Sequence, residues 1–124
     1  MSPLSAVGGL SPTMYLEDQE LAYQVAQRGL RVRYDNSARV MHVGNHAGAQ
    51  RWSDPERAVR VACAELTFLR AHHGPLRTAE IRAIVCAGHA LRTVAHAALG
   101  HAPRAAIFRS MTRVYAGRER CSAI

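Results

Sequence analysis

Three carboxylates crowd one short stretch of the chain, Glu17, Asp18 and Glu20, and His42 follows downstream. Carboxylate and imidazole side chains take up and release protons near neutral pH and also hold divalent cations. In the first turn of a helix the same acids also suit the helix dipole. Other chemical groupings are weaker. His42 and His46 have the spacing of a zinc-finger histidine pair, but no cysteine pair precedes them. His72 and His73 stand where a helix should end, a position that favours histidine on dipole grounds alone. Asp54-Pro55-Glu56 sits at a helix start and reads as capping. There is no Walker loop, nucleophile elbow or GxGxxG turn.

The elements that position these residues can be read from period and punctuation. Residues 1–13 are rich in Ser, Pro and Gly and read as a loop. A helix is expected from Glu17 to Arg28, with Leu21 and Val25 on one face and Gly29 at the stop. Leu30 to Tyr34 alternates apolar and basic residues, which is strand period. Asp35-Asn36-Ser37 signals a turn, and Ala38 to Val43 can form a second short strand. Ser53 and Glu56 have capping-box spacing and open a second helix, whose stripe is Val59, Ala62, Leu66 and Leu69. Gly74-Pro75 ends it. A long helix should follow from about Thr78 to Leu99. One of its faces holds Ile81, Ile84, Val85, Leu91, Val94 and Leu99, and another holds Arg82, His89, Arg92 and His96. A last helix from about Arg104 to Ala116 places Ile107, Phe108, Met111, Val114 and Tyr115 on one side, with Arg109 and Arg113 on the other.

The 124 residues fit one small domain or part of a larger one. Sixteen arginines face nine acids, with no lysine, and the formal net charge is +7. The excess is uneven: from Leu66 to Arg118 there are eight arginines and a single acid, Glu80. A basic segment of that kind suits phosphate, although a solvated helix face explains it equally well. Cys63, Cys86 and Cys121 are far apart and odd in number, so they suggest no disulfide framework and a reducing compartment. There is no signal-peptide pattern and no apolar run of membrane-spanning length.

In chain order, AVGG, MYLEDQEL, QRGLRVRY and ARVMHVG resemble the C-terminal part of the catalytic domain in glycosyltransferase family 2. RAHHG at Arg70 to Gly74 is more loosely similar to the tails of rhamnosyltransferase-like members. The resemblance implies an α/β class: a partial GT-A fold of short strands plus a helix over residues 1–50, then a basic, mainly helical tail of about three helices over 51–124. It implies inverting transfer of a sugar from a nucleotide-sugar donor to a glycan or lipid-linked acceptor in cell-envelope or polysaccharide synthesis. Asp18 would be the base, Glu17 and Glu20 would bind the acceptor, and His42 would help hold a Mg²⁺ or Mn²⁺ ion. The donor-binding half with its Asp-x-Asp motif is absent, so the chain is expected to be a truncated form whose missing half another chain would supply. A cytoplasmic protein, peripheral on the inner face of the membrane, would fit.

A second expectation comes from a different class. The alternative is a non-catalytic remnant or a basic helical module: the last two helices are amphipathic with basic faces, which suits an anionic membrane surface. Nucleic acid is the weaker partner, because no recognisable binding fold or aromatic interleaving is present.

Overall fold

The structure, a computed structural model, describes residues 15–41 and 51–121. Four helices follow one another: α1 (Glu17–Gln27), α2 (Asp54–His72), α3 (Pro75–Ala98) and α4 (Ala102–Tyr115). No strand occurs among the described residues. The expected α/β class is therefore corrected to a helical bundle.

The physical reason lies in residues 30–41. The turn forms: the Asp35 carboxylate accepts the Ser37 amide at 2.9 Å and the Ser37 hydroxyl at 2.6 Å. The flanking segments Leu30–Tyr34 and Ala38–Met41 do not pair, and they project Val32, Tyr34 and Val40 into solvent at 76, 93 and 88% exposure. Two isolated strands are marginal in water. Among the described residues no helix or third strand covers them, so alternation alone does not make a sheet.

The helix punctuation acts as the sequence suggests. Gly29 closes α1 at φ 67° and Gly100 closes α3 at φ 73°, both in the left-handed region that glycine tolerates. The Ser53 amide and hydroxyl both donate to Glu56 Oε2, at 2.8 and 2.7 Å, at the start of α2. Gly74-Pro75 is both a stop and a start: Pro75 occupies the first turn of α3, where its missing N–H costs nothing.

Helix α4 packs along both α3 and α2, while α2 and α3 touch each other sparingly. The core is small: Ala62, Cys63 and Leu66 of α2 meet Val114 and Tyr115 of α4, with Val59, Val85, Cys86 and Met111 packed around them. Helix α1 docks on the far side of α2. The Tyr23 ring lies 5.6 Å from Phe68, edge to face, and 4.1 Å from His72.

Two cysteines expected to be free are joined. Cys63, buried in α2, and Cys121, beyond α4, form a disulfide with their Cα atoms 5.5 Å apart. Cys86 remains a thiol. Wide spacing in sequence hid the pair, because the α2–α4 packing is what brings the two ends together. The expectation of a reducing compartment, which rested on unpaired cysteines, loses that support.

Candidate functional site

The acids singled out by sequence do not converge. Glu17 and Asp18 are exposed in the first turn of α1, and Asp18 Oδ1 accepts only the amide of its neighbour Gln19, at 2.9 Å. Glu20 is half-buried and has partners of its own. Its Oε1 accepts Gln24 Nε2 at 2.8 Å and its Oε2 lies 2.7 Å from His72 Nε2. These partners, the Gln24 hydrogen bond foremost, hold its carboxyl below the ordinary range. The Glu20–His72 pair ties α1 to α2. His42 and His46 lie outside the described residues. Among the described residues no group of three or more His, Cys, Asp or Glu side chains is placed to hold a metal.

The structure instead gathers its unusual features on α3 and α4. Helix α3 turns a mixed face inward, with Val85 and Cys86 packed against the core beside polar side chains. Thr78 and His89 are buried, at 7 and 8% exposure. Arg82 reaches across to the end of α4, donating from Nη2 to the Tyr115 carbonyl at 2.8 Å. That guanidinium meets the negative pole of the α4 dipole.

His89 is received by rings. It stacks between Phe108 at 5.8 Å and Tyr115 at 5.7 Å, and His96 lies nearly parallel to Phe108 at 5.3 Å. The Nδ1 atoms of His89 and His96 are buried without a hydrogen-bond partner. Burial first, and the Arg92 charge second, push the His89 pKa below its ordinary value. A neutral imidazole is flat and can pack like an aromatic ring, which is how a polar seam faces the bundle. Tyr115 also donates its hydroxyl to Glu65, and burial pushes the Glu65 carboxyl above its ordinary value.

A run of apolar side chains on α3 faces out. Leu76, Ile84, Leu91 and Val94 are exposed at 84, 65, 71 and 65%. Exposed alanines, Ala83, Ala87, Ala95 and Ala98, fill the intervals. At helical rise the stripe from Leu76 to Val94 runs about 27 Å, or five turns. Its only acid is Glu80, ion-paired to Arg77 at 2.7 Å near the helix start. Apolar faces of this length on folded proteins mark interaction surfaces.

Beside the stripe, a groove of about 300 Å³ runs between α3 and α4, with Val94 on one wall and Arg109, Arg113 and Arg118 on the other. All three arginines are exposed, and none pairs with a carboxylate among the described residues. The face expected to hold Ile81, Ile84, Val85, Leu91, Val94 and Leu99 is divided: Ile84, Leu91, Val94 and Leu99 are exposed, whereas Ile81 and Val85 are half-buried and Val85 packs against the core. Of the other face, Arg82, His89 and His96 turn inward and Arg92 is exposed.

No family model, characterised protein or solved structure matches this chain. Together with the helical architecture, this overturns the resemblance to glycosyltransferase family 2. The short motifs that suggested it, around Glu17-Asp18 and Gly29, are accounted for as a helix start and a helix stop. The sugar-transfer expectation drew on that resemblance and is not carried forward.

Proposed function

We propose that this chain is a peripheral module that lays the outward face of α3 on an anionic membrane surface. The observation that carries the reading is the exposed apolar stripe Leu76, Ile84, Leu91 and Val94 on α3. The occupant follows from charge. The segment from Leu66 to Arg118 carries eight arginines against Glu80 alone, and three of them line the groove beside the stripe. An apolar stripe bordered by unpaired guanidinium groups suits a bilayer with anionic head groups, where aliphatic side chains enter the acyl boundary and arginines stay among phosphates. No helix among the described residues is long and apolar enough to cross a membrane, so α3 would lie along the surface.

Co-sedimentation of the full chain with phosphatidylcholine vesicles, with and without phosphatidylglycerol, tests this reading. Binding is expected to the anionic vesicles alone and to weaken as salt rises. Sedimentation velocity supplies the rival outcome. A stable dimer without vesicle binding would mean that a second copy covers α3. Salt-sensitive binding to a random DNA duplex without vesicle binding would mean nucleic acid does. Either result overturns the proposal.

A further inference from the structure

The groove between α3 and α4 has a more specific chemistry than the stripe beside it. Arg109 and Arg113 stand one turn apart on α4, and Arg118 joins them after the chain turns at Gly117. The two hydroxyls in the lining are already committed as donors: Thr93 Oγ1 donates to the His89 carbonyl at 2.9 Å and Thr112 Oγ1 to the Phe108 carbonyl at 2.8 Å. The guanidinium groups are therefore the groove's available donors, and such a lining selects a multiply charged oxyanion. One feature opposes it, the C-terminal pole of α4, worth about half a negative charge. Three full positive charges outweigh that, and Arg82 already covers the terminal Tyr115 carbonyl.

The geometry points to a phosphomonoester site in this groove. A terminal phosphate offers three oxygens to three guanidinium groups, and about two negative charges to three positive ones. A phosphodiester offers two free oxygens and one charge, a poorer match. Val94 belongs both to the groove and to the exposed stripe. A phosphate seated here can therefore run its organic substituent along the apolar face of α3, as a lipid phosphomonoester would. The lipid source of the phosphate rests on the membrane reading above, whereas the phosphate chemistry of the groove does not.

Two arms test the site with the full chain. In the first, vesicles containing phosphatidic acid are compared with vesicles containing phosphatidylglycerol at matched surface charge. In the second, inorganic phosphate and glycerol 3-phosphate are titrated while the arginine side-chain N–H resonances are followed. The site predicts preferential binding to phosphatidic acid. It also predicts that R109Q/R113Q, both exposed positions, reduces that binding about tenfold or more, to the phosphatidylglycerol level, with unchanged circular dichroism. Arginine shifts with free phosphate but no vesicle binding would support the phosphate site and overturn its lipid source. Equal binding to the two lipids with unresponsive arginines would overturn the site and leave the membrane reading standing. No response in either arm would overturn both.

Discussion

Removing the Cys63–Cys121 disulfide should cost this small bundle a large share of its stability. The bond closes a loop with a sequence separation of 58. In the chain-entropy account a loop of that length restricts the unfolded chain by about 4 kcal/mol at 25 °C. Small domains are stable by only about 5–15 kcal/mol in total. The core has few buried side chains with which to make up the loss, and Cys63 itself is one of them at 2% exposure. The assay is urea unfolding followed by circular dichroism, with and without reductant, on the wild type and on Cys121→Ser. Reductant should lower the wild-type midpoint by roughly 2 M, given slopes of about 1–3 kcal/mol per M for small proteins. It should leave Cys121→Ser unmoved at the lower midpoint. Thiol labelling in denaturant supplies the chemical check: one reactive thiol, Cys86, before reduction and three after. Three thiols in the unreduced protein, or a midpoint indifferent to reductant, would refute the reasoning.

Two further consequences follow from the α3–α4 seam. Because burial lowers the His89 pKa, the unfolded chain binds the proton more readily, so stability should fall as pH drops below about 6.5 and level off below the folded value. Glu65, with its raised pKa, contributes the opposite slope, so the His89 effect is read as the difference between wild type and His89→Phe, and a pH-independent difference would contradict it. Arg82→Met removes the charged donors from the Tyr115 carbonyl and should cost about 1–2 kcal/mol in urea unfolding, whereas an unchanged midpoint would show that solvent replaces them without loss.

Local signals in the sequence translate directly into structure where the physics is local. Ser53 and Glu56 cap α2 as their spacing demands, Gly29 and Gly100 stop their helices, and Asp35 folds its turn onto Ser37. The failures are long-range. Strand period in Leu30–Tyr34 required a partner that the described chain does not provide. Cys63 and Cys121 required the α2–α4 packing to meet. The burial of His89 depended on stacking against Phe108 and Tyr115, which its polar side chain does not announce in the sequence. Glu20 is likewise engaged by His72, far away in sequence, a contact that its place beside Glu17 and Asp18 does not announce.

The outward face of α3 is the central claim, and its most direct test is the partitioning of Ile84→Ser/Leu91→Ser onto anionic vesicles. Both side chains are exposed, at 65 and 71%, so the folded bundle should tolerate the change with its urea midpoint unaltered. If they enter the acyl boundary, losing two aliphatic side chains should weaken partitioning by about 2 kcal/mol or more, roughly thirtyfold. A double variant that partitions as well as the wild type would contradict the claim, because binding would then be carried by the arginines alone.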